Sequence, residues 1–140
     1  MHFVQYDPPD YFATQLGKNY LQFQKSAIQR NVSITRIWLQ ERAILTDPVY
    51  KKIILEHVET GIETLVIEKE TLPPEAYHLC EDYGIIDDIM IITPLAHSNG
   101  TPKGEHITID PHVVGRAKNN FDALKGYAQE ARDFYSERAY

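Results

Sequence analysis

Cys80-Glu81-Asp82-Tyr83-Gly84-Ile85-Ile86-Asp87-Asp88-Ile89-Met90-Ile91-Ile92 is the stretch on which the fold turns. Gly84 breaks a helical pattern, and an apolar run from Ile85 to Ile92 follows at once. Its length and its isoleucines predict a strand with two acids in its middle. Adjacent strand residues face opposite sides, so Asp87 and Asp88 form no paired acid and base unless the chain bends there. No base, cation or metal ligand stands in obvious register with them. The stretch is architecture first: a strand of a covered sheet, entered from a helix.

Working outward, Val32 to Leu39 predicts a first strand, with Ile34 and Trp38 on one face and Ile37 and Leu39 on the other. Asp47-Pro48 opens a helix with Pro48 at its first position, Val49, Ile53, Ile54, His57 and Val58 form its apolar stripe, and Gly61 stops it. Ile62 to Ile67 is a second strand. Thr71 to Glu75 begins a short helix that Gly84 ends, and Ile85 to Ile92 is the third strand. Before all of these, Pro8-Pro9-Asp10 reads as a helix entry with Asp10 as its cap. Phe12, Leu16, Tyr20, Phe23 (or Gln24) and Ala27-Ile28 then recur at helical spacing, giving a helical N-terminal arm over about 9–30. Past the third strand, Pro94 to Gly104 is a polar loop, and Glu105 to Ile109 is a fourth strand, antiparallel to the third. Asp110-Pro111 opens a long C-terminal helix over about 111–137, with Val114, Ala117, Phe121, Leu124, Ala128, Ala131 and Tyr135 along one face.

The order is α-β-α-β-α-β-β-α. Strands alternating with helices predict an α/β fold with a mostly parallel four-stranded sheet covered by helices. The first three strands are apolar on both faces, as a covered sheet requires. A length of 140 residues fits a single domain, 1–140, with its core over about 32–128. A chain of this size buries roughly 68% of its unfolded surface without help from metals or disulfides.

Composition sets further bounds. Apolar residues make up 43% and charged residues 24% of the chain, as in ordinary globular proteins. A single cysteine, Cys80, excludes an internal disulfide framework and fits a reducing, cytoplasmic setting. No apolar run approaches the ~20 residues of a membrane span. Met1-His2-Phe3-Val4 lacks the basic and long apolar regions of a signal peptide. The net charge of -6 argues against nucleic acid as a partner, since such binding depends on neutralising phosphates. No glycine-rich phosphate loop is present, so no nucleotide cofactor is expected.

The histidines and Cys80 supply no metal pattern. His57 has Gly61, not a second ligand, at the helical i+4 position. His78, Cys80 and Asp82 diverge over a helical surface, and there is no second cysteine to complete a zinc site. His97, His106 and His112 have no defined spacing. Cys80 as a nucleophile would need an adjacent base and a lowered pKa. No catalytic or metal residue is therefore assigned. Arg36, Arg42, Arg116 and Lys118 are the cations placed by pattern near strand ends or helix starts, where α/β sheets bind ligands. The ligand-binding candidates are Arg36, Arg42, Asp87 and His106, with Arg42 first for an anion. Nine tyrosines gather towards the ends, including Tyr6, Tyr11 and Tyr20 early and Tyr127, Tyr135 and Tyr140 late. Tyrosine suits interfaces, so Tyr20, Phe121 and Tyr135 are the candidate contact residues.

The alternation of elements and several phrases resemble the non-catalytic branch of the phospholipase D-like fold. The phrases are Ile34-Thr35-Arg36-Ile37-Trp38-Leu39, His57-Val58-Glu59-Thr60-Gly61-Ile62, Asp82-Tyr83-Gly84-Ile85-Ile86-Asp87-Asp88 and Phe121-Asp122-Ala123-Leu124. Together they span roughly residues 32 to 128. Catalytic members carry His-x-Lys-x4-Asp at the third strand. Alignment on Asp87 puts Cys80 at the place of the His and Asp82 at that of the Lys. The resemblance implies that the nucleophilic imidazole and the phosphate-binding ammonium are both absent. It also implies pairing of two similar halves, hence a homodimer. The expected function is a non-enzymatic regulatory or sensing domain acting through dimerisation or partner binding. Two alternatives remain open: a small-molecule or anion-binding module at the strand ends, and an unfamiliar hydrolase-like enzyme using His106, Asp87 or Cys80.

Overall fold

A computed structural model describes residues 1–6, 15–96, 98–99 and 102–137. Its elements in chain order are β1 (His2–Gln5), α1 (Gln15–Gln29), β2 (Thr35–Gln40), α2 (Arg42–Leu45), α3 (Pro48–Thr60) and β3 (Glu63–Glu68). Two 3-10 turns (Lys69–Thr71 and Pro74–Leu79) lead to β4 (Tyr83–Ile86), β5 (Met90–Ala96), β6 (Pro102–Thr108), α4 (Pro111–Lys125), β7 (Gln129–Glu130) and α5 (Ala131–Glu137).

The sheet corrects the expected one. Among the described residues it has seven strands, in the order β6-β5-β4-β1-β2-β3-β7. Only β1–β2 and β2–β3 are parallel; β1–β4, β4–β5, β5–β6 and β3–β7 are antiparallel. The α/β class stands, but the mostly parallel, four-stranded description does not. The stretch around Asp87-Asp88 is the first cause. Both residues adopt the left-handed conformation, with φ of 53° and 57°. Successive positive φ values make a tight hairpin turn, and Ile89 N–H donates to Ile86 O across it at 3.0 Å. What looked like one strand is therefore two, β4 and β5, folded back on each other. Asp tolerates this backbone because its side chain is short and polar.

The second cause is β1. His2–Gln5 lies at the middle of the sheet, with β2 on one side and β4 on the other. The third is the tail. Gly126 ends α4, Gln129–Glu130 adds a strand beside β3, and α5 follows, so the expected helix over 111–137 is interrupted. The break has a packing reason. Phe121 and Leu124 belong to the core on one face of the sheet, while Ala131, Phe134 and Tyr135 belong to the core on the other. The chain crosses the sheet edge between them, which one straight helix does not do.

The local signals of the two Asp-Pro entries hold. Asp47 Oδ1 accepts from Val49 N–H and Asp110 Oδ1 from His112 N–H, both at 2.9 Å. Gly61 caps α3 at φ 98°. The short helix expected to run to Gly84 is a 3-10 segment ending at Leu79, and Gly84 itself lies within β4. The N-terminal arm is helical over Gln15–Gln29; the expected cap Asp10 and Phe12 lie outside the described residues.

Alternation sorts the core. Val4, Ile37, Leu39, Leu65, Ile67, Ile85 and Ile91 face α4. Trp38 and Val66 face α3 and α5, and Ile34 and Ile62 pack with Ala27 of α1. The second face also buries polar groups: Gln24, Arg36, Gln40, His57, Thr64 and Glu68.

Candidate functional site

The C-terminal ends of parallel strands are where α/β sheets place ligands. Here β1, β2 and β3 end at Gln5, Gln40 and Glu68, and antiparallel β4 begins beside them, with Tyr83 opposite Val4. Cys80, Asp82, Tyr6, Gln40, Arg42 and Glu68 therefore gather at one mouth of the sheet.

Each polar group there has a structural employment. Asp82 Oδ1 accepts from Tyr6 N–H at 2.6 Å, fastening the entry of β4 to the exit of β1. Gln40 Nε2 donates to Gln5 O at 3.0 Å and Tyr6 O at 3.1 Å, carrying on where the β1–β2 ladder stops. Arg42 donates from Nε (2.9 Å) and from a terminal nitrogen (2.7 Å) to Glu68 Oε2, while its backbone N–H donates to Glu70. Glu68 is buried, so a cation at Arg42 is what its carboxylate needs. Cys80 is half-buried against the α4-side core. Burial pushes its thiol pKa up, opposed in part by the Lys69 ammonium. A thiol displaced away from thiolate is a poor nucleophile.

The four ligand-binding candidates do not converge. Arg42 is at the mouth. Arg36 lies near the start of β2, at the other end of the strand from Arg42, and is buried under α1, where it donates to Gln24 Oε1 at 3.1 Å and stacks on the Phe3 ring at 4.8 Å. Desolvation lowers its pKa to about 10, so it stays a cation that ties α1 to β2. Asp87 sits in the β4–β5 turn at the opposite end of the sheet from Arg42, because Ile85 is opposite His2 at the start of β1. His106 is exposed on the outer strand β6, opposite Thr93. The contact candidates are placed differently as well. Phe121 is buried in the α4-side core, where the His2 ring meets it edge-on at 4.7 Å. Tyr135 is buried on the other side, with its hydroxyl donating to Leu45 O at 2.8 Å. Only Tyr20 is part-exposed, and its ring stands 5.9 Å from the Arg36 guanidinium. Tyr11, Tyr140 and His97 lie outside the described residues.

His57 is deeper than its place near a helix end suggested. Its Nδ1–H donates to Ile53 O at 2.8 Å, its ring meets Trp38 edge-on, and desolvation lowers its pKa to about 3. Arg36 was also readable as buried: it stands on the Trp38 face of a strand that is apolar on both sides.

Among the described residues, no group of three or more His, Cys, Asp or Glu side chains converges as a metal requires. No helix among them is long and apolar enough to cross a membrane. Among the described residues, open surface grooves include the following two, neither of which takes in a residue of the mouth. One of about 430 Å³ runs along α3 past Lys51, Leu55 and Glu59. The other, about 340 Å³, lies between the β4–β5 turn and α4, against Ile89, Ile109 and Val114.

No family model matches the chain, and no curated protein does. A solved structure does: a phospholipase D family member, Nuc from Salmonella typhimurium. It is 11% identical, with a TM-score of 0.59, over 93% of this chain and 78% of that one. At that identity the likeness is one of fold. The chain has a phospholipase D-like fold.

Proposed function

We propose that this chain is a non-enzymatic domain of phospholipase D-like architecture, acting in regulation or sensing through dimerisation or partner binding. One observation carries the reading. The positions that align with the family's catalytic His and Lys hold Cys80 and Asp82, and both serve the fold. Asp82 accepts the Tyr6 N–H, and Cys80 is a half-buried thiol with a raised pKa. Neither supplies an imidazole nucleophile or an ammonium for phosphate. Arg42 already bonds a carboxylate, so an anion at the mouth would have to displace Glu68. That weighs against the anion-binding alternative.

The test is turnover of a generic phosphodiester, bis(p-nitrophenyl) phosphate, by purified protein. No release of nitrophenol above buffer is expected. Release that disappears in Cys80→Ser or Asp82→Asn would overturn the reading.

A further inference from the structure

The β4–β5 turn and the start of α4 border the groove of about 340 Å³. The left-handed pair Asp87 and Asp88 reverses the chain and leaves Ile89 at the turn. Asp110 caps α4 with Pro111 at its first position, which puts Ile109 just before the cap and Val114 at the fourth helical residue. Residues so placed commonly pack on each other. Such packing would hide Ile109, yet it is 70% exposed, and Ile89 is 65% exposed. Both line the groove with the buried Val114, so they form one apolar surface that the fold leaves uncovered.

Gly115 is a second, independent observation. It stands inside α4, where glycine weakens a helix relative to alanine. No positive φ calls for it, and a Cβ added there meets nothing within 4 Å. Neither backbone nor packing within the fold accounts for it. It does line the groove, and the open space at its Cβ position is space that a side chain would take. The polar lining is one ion pair. Lys118 Nζ and Asp88 Oδ2 stand 3.6 Å apart, beyond a good hydrogen bond, and both side chains are exposed, so each retains capacity for a third group. A hydroxyl suits both, accepting from the ammonium and donating to the carboxylate. A carboxylate ligand would meet Asp88, and an amine would meet Lys118.

We propose that this groove binds a neutral amphiphile of the class of a medium-chain alcohol. Its chain lies along Ile89, Ile109 and Val114, and its hydroxyl sits at the Asp88–Lys118 pair. The proposal rests on the sensing reading above and supplies the class of molecule sensed. The volume is at the low end of small-ligand sites, which run upward from ~300 Å³. The site lies at the opposite end of the sheet from the mouth, so it draws on neither Cys80 nor Asp82.

The experiment titrates the full chain with 1-butanol, 1-hexanol and 1-octanol and follows amide chemical shifts. Saturable shifts are expected at Ile89, Ile109, Gly115 and Lys118, with affinity rising roughly threefold per added methylene. Octanoate and octylamine should each bind at least about threefold more weakly than octanol, since each sets a like charge against one member of the pair. Gly115→Leu puts a good helix former into the groove, so the fold is kept while octanol affinity falls at least about tenfold. Ile109→Ser, at a mostly exposed position, gives a second loss should the leucine variant not fold. Asp88→Asn keeps a residue that tolerates the left-handed turn and should narrow the gap between octanoate and octanol. Shifts that do not saturate, or that gather elsewhere, overturn the proposal. So do Gly115→Leu and Ile109→Ser variants that bind octanol like wild type, or octanoate as the tightest ligand. Phosphodiester turnover is a separate readout: it would overturn the non-enzymatic reading, and the octanol titration alone decides this site.

Discussion

The His57 imidazole meets the Trp38 indole edge-on, with ring centroids 5.1 Å apart and both side chains fully buried. The Ile53 carbonyl can only accept, so Nδ1 carries the hydrogen of a neutral ring. Burial first, and the Arg36 charge second, lower the pKa from 6.5 to about 3. Between those values the unfolded chain binds a proton that the folded chain does not, so stability falls as pH falls below 6.5. The loss approaches ~1.4 kcal/mol per pH unit, or about 2 kcal/mol at pH 5. Urea titrations of wild type and His57→Leu across this range should show the wild type losing that much more than the variant. Parallel pH profiles would show that His57 is not the acid-sensitive group.

What the sequence disclosed follows how local each signal is. Asp47-Pro48, Gly61 and Asp110-Pro111 carry their meaning within a few residues, because a cap bonds its own helix. The two acids at 87 and 88 do not. An Asp within an isoleucine run looks the same whether its φ is negative or positive, and only the pairing of Ile85 with Ile91 shows the reversal. His2–Gln5 has no periodic apolar run, and its place at the sheet centre comes from β2 and β4 closing on it. The apolar spacing from Val114 to Tyr135 continues across Gly126, yet it serves two opposite faces of the sheet. The mouth was not legible: the spacing from Asp87 only put Cys80 and Asp82 at the places of the family's His and Lys, and the pattern itself had them diverge over a helix. That Asp82 is held by Tyr6, 76 positions away, is a tertiary fact.

The turn at Asp87-Asp88 makes its own prediction. Left-handed backbone costs an ordinary side chain roughly 1–2 kcal/mol and glycine nothing. Asp88→Gly gives the Asp-Gly pair that such turns favour, at the loss of a long, exposed contact to Lys118 at 3.6 Å. Asp88→Ala loses the same contact without the relief. Asp88→Gly should therefore be about 1 kcal/mol more stable than Asp88→Ala in chemical denaturation. Equal stability would mean that the turn relaxes out of the left-handed region at little cost.

Tyr135 fixes the last helix to the second. Its hydroxyl donates to Leu45 O at 2.8 Å in the core between α2, α3 and α5. Tyr135→Phe keeps the ring contact with Phe134, at 5.0 Å, and leaves a buried carbonyl without that donor. The expected cost is about 1–2 kcal/mol. Amide hydrogen exchange should show it as faster opening of Ala131–Glu137, with the α4 region unchanged. Uniform acceleration would indicate that α5 opens only with the whole domain.

Gly84 is required by a neighbour, not by its own backbone. A Cβ there would stand 2.8 Å from Cδ1 and Cε1 of Phe3, the ring opposite it on the adjacent strand. Phe3 in turn stacks beneath the Arg36 guanidinium, so it cannot swing away without uncovering a buried cation. Gly84→Ala should therefore destabilise by about 1–3 kcal/mol, the usual range for an overpacked core. Phe3→Leu removes the ring atoms that clash and should itself cost stability through lost packing and lost cation–π contact. The double variant should be more stable than the sum of the two predicts, by about 1 kcal/mol or more, since the clash exists only when both Cβ and ring are present. Strict additivity of the two changes would mean that the strand shifts to admit the methyl group, and that Gly84 is not what lets Phe3 lie across the sheet.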